Sequence, residues 1–246
     1  MSYLSLEFLL DPSFYYTFGV ILLPIALDPS VQSVPAALEY LTHPSLWVAM
    51  FCLAAMHVLT FYTPGPPVRK LPLPERMLGR WYLFNAIIIF MLMDGCVGGL
   101  KVNPVLSKQY QAMDKRYGFP FGSVEGSAVT VVSLCELLLK GPLCLLLYVL
   151  MYRGSRYVDP VAIVVNVLQF YGTVLYLGQE LITGMKNLHV DYELRFSFKD
   201  LCYFWFAILF ANILYLMFPA YLVVRSMRRI VQDVSPDSNY GHLKTH

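Results

Sequence analysis

An all-α, polytopic membrane protein, a five-transmembrane-helix bundle with a short apolar segment at its N-terminus, is what this chain of 246 residues predicts. Five apolar runs, Leu46–Tyr62, Leu83–Leu100, Ser127–Tyr152, Val161–Leu181 and Leu201–Val224, come near or above the roughly 20 residues that cross a hydrocarbon core about 30 Å thick. Composition agrees: 57% of residues are hydrophobic and only 14% are charged, against about 25% in soluble domains. The runs also carry polar residues. A charged side chain costs about 2.5–3.5 kcal/mol at a bilayer centre unless it faces the bundle interior, so these residues point to an internal site.

The elements follow in chain order. Phe14–Leu27 is short for a span and contains Pro24, and it lacks the basic start and small-residue cleavage site of a signal peptide. It reads as a re-entrant or interfacial segment, with a short sixth span as the alternative. Positions 1–44 form this N-terminal segment, 45–230 the five-helix domain and 231–246 a polar cytosolic tail. The stretch TPGPPVRKLPLP, Thr63–Pro74, holds too many prolines to be helical throughout and reads as a tight connector.

Lysine and arginine favour the cytosolic face of short connections. Arg69, Lys70, Arg76 and Arg80 follow the first run, Arg153 and Arg156 the third, and Arg225, Arg228 and Arg229 the fifth, which puts all three groups on one side. The second and fourth connections mix bases with Asp114, Glu125, Asp191, Glu193 and Asp200. A multi-pass protein with a cytosolic C-terminus follows. The net charge of +2 is too small for a nucleic-acid partner. Cys52, Cys96, Cys135, Cys144 and Cys202 lie in or beside the apolar runs without CxxC spacing, so they read as small core residues.

Each intramembrane polar residue has a structural and a functional reading. Asp94, near the end of the second run, is costly unless paired or interfacial. Glu136 and Lys140 are four apart, on one helix face, and form either an ion pair alone or a pair that also presents a proton donor. Ser133 stands one turn before Glu136 and bonds back to its own helix or lines the site. His57, the one histidine inside a run, is a hydrogen-bonded packing residue or a proton carrier. Gln169, Thr173 and Tyr176 form a polar stripe on the fourth run at helical spacing. Asn212, between Trp205 and Tyr215, is helix-packing glue or a ligand contact. No Gly-rich phosphate loop or metal-ligand cluster is visible, so no cofactor is expected.

LQFYGTVLYLGQE (Leu168–Glu180) followed by YFWFAILFANILYLMFPAYLV (Tyr203–Val223) resembles the last two helices of the emopamil-binding protein family, which includes the sterol Δ8–Δ7 isomerases and belongs to the EXPERA superfamily. KRY at Lys115–Tyr117, KGPL at Lys140–Leu143 and MDG at Met93–Gly95 resemble further family segments, and the resemblance runs from about Leu46 to Arg229. It implies protonation of a ring alkene, stabilisation of the cation by aromatic and polar groups, and removal of a neighbouring proton. Asn212 and Glu180 stand at family asparagine and acid positions. The chain departs elsewhere: Phe90 stands where the family has a histidine, Ser133 where it has a glutamate, Asp94 at a shortened acid, Tyr215 at a tryptophan and Thr173 at a frequent aspartate.

Proton chemistry therefore falls to Asp94, Glu136, Glu180 or His57, while Phe90, Ser133, Tyr171, Thr173, Trp205, Asn212 and Tyr215 are candidates to line a substrate site. The function this implies is a cofactor-independent isomerase or cyclase in the endoplasmic-reticulum membrane. Its substrate would be a lipophilic polycyclic, sterol-like, terpenoid or specialised-metabolite molecule. A non-catalytic sterol- or drug-binding, lipid-regulating protein is the first alternative, and a sterol Δ8–Δ7 isomerase with relocated acid and base the second. The expected partners are this substrate and membrane lipids, and the resemblance implies a homodimer.

Overall fold

The computed structural model describes residues 11–65, 67–189 and 195–234. Asp191 and Glu193 of the fourth connection, positions 1–10, and positions 235–246 of the expected tail lie outside the described residues. Among the described residues the chain is helical without a strand.

Helix α1 (Pro12–Leu27) starts on a side-chain cap, with Asp11 Oδ1 accepting from the Ser13 amide at 2.9 Å and Pro12 occupying a first-turn position where no amide is needed. A single turn, Pro29–Val31, leads to α2 (Val34–Leu41) and then to the first long span, α3 (Pro44–Tyr62). The second span, α4 (Leu73–Gly99), begins well before its apolar run. Its first turns carry Glu75, Arg76 and Arg80, which depress hydropathy, yet ion pairs hold them: Arg80 to Asp11, and Glu75 to Arg229 at 2.8 Å. The short α5 (Pro104–Met113) caps on Asn103, whose Oδ1 accepts from the Leu106 amide at 3.1 Å. Then come α6 (Val124–Tyr152), α7 (Val158–Ile182) and α8 (Phe198–Gln232). All five expected spans are present.

The most apolar window of α4 is 78% buried, against 22–33% for the other spans. That makes α4 the central helix and leaves the others with a face for lipid. Close approach supports this position. A Cβ at Gly95 of α4 would fall 2.6 Å from Leu137 Cβ of α6, and one at Gly99 would fall 2.9 Å from Ser133 Cβ. Small residues allow such backbone contact where lipid supplies no hydrophobic drive between helices. Three segments wind with wider i→i+5 hydrogen bonding, Asn85–Gly99 in α4, Glu136–Lys140 in α6 and Leu201–Phe210 in α8. Such π-helical turns are often found at functional sites, and all three border the cavity described below.

The connections close the two ends of the bundle. At one end the Arg69 amide donates to the Tyr152 carbonyl at 2.8 Å and Arg153 donates to the Thr63 carbonyl at 3.1 Å. This is the arginine-rich end. At the other, the Lys115 amide donates to the Asn187 carbonyl at 2.9 Å and the His189 amide to the Met113 carbonyl at 2.7 Å. Helix α1 links the two: Asp11 pairs with Arg80 toward the first end, and Asp28 accepts from Lys108 and Gln109, each at 3.1 Å, at the second. At about 1.5 Å per residue its 16 residues reach about 24 Å. It runs lengthwise beside the bundle between these two contacts.

Candidate functional site

A cavity of about 210 Å³ lies among α1, α4, α5, α6, α7 and α8, toward the α5 end. Seven of the expected site residues line it: Phe90, Asp94, Ser133, Glu136, Thr173, Asn212 and Tyr215. The polar ones are concentrated where α4 meets α6. Asp94 lies within hydrogen-bonding reach of Glu136 and accepts from the Tyr110 hydroxyl at 2.7 Å. Burial, then the charge of Asp94, push the Tyr110 phenol well above its ordinary range, so it keeps its proton and donates.

Glu136 Oε1 pairs with Lys140 Nζ at 2.6 Å, and the ammonium stands 4.2 Å from the centre of the Phe90 ring. The helical register of α6 puts Ser133, Glu136 and Lys140 on one face, as i, i+3 and i+7. Among the described residues no donor reaches two buried oxygens there, Ser133 Oγ and Glu136 Oε2. Buried polar atoms are normally satisfied, at about 1–3 kcal/mol each when they are not, so this face can accept a hydrogen bond from a bound molecule or water.

Aromatic rings make much of the remaining wall. Tyr215 stands 6.3 Å from Phe90 and hydrogen-bonds Asn85, while Tyr16 of α1 lies 5.6 Å from Phe206. Asn212 lines the cavity and donates to the Ile208 carbonyl at 2.7 Å, which ties its amide nitrogen to its own helix. Thr173 likewise donates to the Gln169 carbonyl at 3.0 Å.

Four expected site residues lie apart from this chamber. His57 packs on Phe61 at 4.6 Å in α3, which does not border the cavity. Glu180 is bound into a buried network, 3.3 Å from Arg116 and accepting from the Asn187 side chain at 2.8 Å, while Arg116 is also clasped by Asp114 at 2.7 Å. Tyr171 is 57% exposed on the outer face of α7. Trp205 stacks on Phe196 and donates to the Arg195 carbonyl at 3.2 Å. Conversely, Tyr16, Tyr110, Tyr117, Tyr176, Tyr203 and Lys140 line the cavity without having been assigned to it. Lys140 was legible only as a charge partner, and Tyr16 had no signal beyond the apolar segment that carries it.

Fold and chamber together define a polytopic helical membrane protein built around an internal site with carboxylates, an amine and aromatic faces. A family model described as EXPERA, the expanded EBP superfamily, matches residues 105–226, just under half of the chain, which makes the chain similar to a diverged member of this family. The chain is also similar to two curated relatives, both named 3-beta-hydroxysteroid-Delta(8),Delta(7)-isomerase. That of Mus musculus is 28% identical over 141 residues, 57% of this chain and 56% of the relative. That of Rattus norvegicus is 30% identical over 130 residues, 53% of this chain and 51% of the relative. The matched stretch thus spans about half the length of these relatives. Glu136, Lys140, Thr173, Asn212 and Tyr215 fall inside the family match, whereas Phe90, Asp94 and all of α1 lie outside it.

Proposed function

We propose that this protein is a membrane-embedded, cofactor-independent isomerase that moves protons on a lipophilic, sterol-like or other polycyclic substrate. The observation that carries the reading is the contact of two carboxylates, Asp94 and Glu136, on the wall of an otherwise apolar and aromatic chamber. Two such groups hydrogen-bond to each other only when one holds a proton, which makes the pair a donor and an acceptor at once. Donation to an alkene places positive charge near Phe90 and Tyr215, where an aromatic face contributes about 0.5–2 kcal/mol. The remaining carboxylate then takes the neighbouring proton, and Asn212 orients the ring. The relatives' printed names supply the substrate class, and the cyclase and terpenoid variants keep the same proton logic with a different ring system.

A chamber of about 210 Å³ is smaller than the roughly 300–1,000 Å³ usual for ligand pockets, so it takes the reacting portion of a polycycle and not the whole of it. An endoplasmic-reticulum location and a cytosolic C-terminus accompany this reading. One observation favours the binding alternative: Glu136 is already engaged by Lys140, as a structural pair would be.

The decisive experiment is expression in yeast lacking its own Δ8–Δ7 sterol isomerase, with sterols profiled by mass spectrometry and with candidate terpenoids added in parallel. Conversion that disappears in Asp94→Asn and in Glu136→Gln, with both variants still in the membrane, supports the assignment. Full conversion in both variants removes the carboxylates from the mechanism. No conversion of any offered substrate by the intact chain favours the binder.

A further inference from the structure

The proton chemistry proposed above has no use for the amine at its centre. Lys140 is 7% exposed and lines the chamber, and its Nζ hydrogen-bonds the Glu136 carboxylate and faces the Phe90 ring. The side of Nζ that faces α7 is kept clear by the absence of a side chain at Gly172, where a Cβ would stand 3.6 Å from the nitrogen. The two buried acceptors without partners, Ser133 Oγ and Glu136 Oε2, stand on the same helix face. An amine in an apolar pocket, an acid–base group touching it and orphaned acceptors beside it are the parts that carbonyl condensation needs.

We propose that the chamber binds lipophilic ketones or aldehydes covalently, as an iminium on Lys140. The ammonium passes one proton to Glu136 Oε1, and the freed lone pair attacks the carbonyl carbon, forming the C–N bond. Glu136 returns the proton to the oxygen, giving a carbinolamine whose hydroxyl donates to Ser133 Oγ or Glu136 Oε2. The hydroxyl then leaves as water, taking a second proton from the nitrogen by way of Glu136, and the nitrogen lone pair closes the C=N bond. The sum is a carbonyl and an ammonium in, an iminium and one water out, with no oxidant or reductant required. The Phe90 ring that faces the ammonium at 4.2 Å faces the iminium equally. This inference stands apart from the isomerase reading, because bond formation is read directly and not through turnover.

The test uses the full chain in detergent with 2-decalone, a bicyclic ketone small enough for the chamber, and sodium cyanoborohydride to reduce any iminium to a stable amine. Peptide mapping by mass spectrometry then locates the alkylated lysines. The expected result is reductant-dependent alkylation of Lys140 ahead of the exposed Lys70, Lys101 and Lys108. In Glu136→Gln the rate at Lys140 falls about 100-fold, the lower end of what a positioned acid–base group contributes. Alkylation confined to the exposed lysines, or no faster at Lys140 than at Lys101 in the unmutated protein, overturns the proposal without appeal to any variant that might misfold. So does an unchanged rate at Lys140 in Glu136→Gln.

Discussion

Glu180 shows how one residue can satisfy a functional pattern for structural reasons. Its place at a family acid position marks it as a proton carrier, yet in the fold it accepts from the Asn187 amide at 3.1 Å and from the Asn187 side chain, and pairs with Arg116. Both partners are fully buried, so their value lies in mutual compensation and not in surface attraction. Breaking a buried pair by removing one charge costs about 3–5 kcal/mol, and Arg116 keeps Asp114 in this case, so Glu180→Gln should cost about 3 kcal/mol. SDS-induced unfolding of the purified protein measures this. If Glu180→Gln unfolds like the parent chain, the network is not what closes this end of the bundle. The sequence could not separate the two roles, because Arg116 and Glu180 come together only through the docking of the α5–α6 connection on α7. Asp94 and Glu136 were legible as a costly buried acid and a helical ion pair, and their contact was not, since it depends on the depth at which α4 and α6 cross.

That crossing depth is a property of the elements. Gly95 lets α4 and α6 touch: a methyl group there would meet Leu137 Cβ, a rigid atom next to the backbone, at 2.6 Å. Gly95→Ala should cost about 1–3 kcal/mol by overpacking, read as a lower detergent melting temperature. Gly19 in the middle of α1 is the counter-case, since a Cβ there meets nothing within 4 Å. Gly19→Ala should leave stability unchanged or raise it by about 0.5–1 kcal/mol, the helix-propensity difference alone. Helix α1 is also pinned electrostatically at Asp28. Burial raises that carboxyl, but the Ser30 amide and hydroxyl and the Lys108 ammonium outweigh it and hold the pKa below the ordinary 3.8. A depressed folded-state pKa contributes stability that is present above about pH 4 and lost as pH falls through the lower folded value. The melting temperature should therefore drop between pH 5 and about pH 3, and drop less in Asp28→Asn; equal acid sensitivity in both chains would remove Asp28 as the cause.

For the whole molecule, hydropathy alone placed all five spans, because lipid demands long apolar runs whatever the tertiary packing. It missed the starts of α4 and the end of α8, where Glu75, Arg225 and Arg229 interrupt the runs and then neutralise one another, Glu75 lying 2.8 Å from Arg229 and 3.7 Å from Arg225. It marked α1 as a short apolar segment but gave no sign that Tyr16, Val20, Leu23 and Pro24 complete the chamber wall from outside the family match. The arginine-rich connections gather at one end, and the tendency of such residues to stay cytosolic predicts that this end faces the cytosol. On that orientation the chamber, bordered by Tyr110 and Tyr117, would lie nearer the leaflet away from the cytosol. The chain has no Asn-x-Ser/Thr acceptor of its own, so glycosylation can report the orientation. Gly122 and Gly154 are turn glycines with φ of +105° and +63° just outside opposite ends of α6, where an acceptor can be inserted on a flexible spacer without interrupting a helix. An acceptor inserted after Gly122 should be glycosylated in microsomes and one inserted after Gly154 should not. The reverse pattern would turn the molecule over and place the chamber, with Asp94 and Lys140, on the cytosolic side.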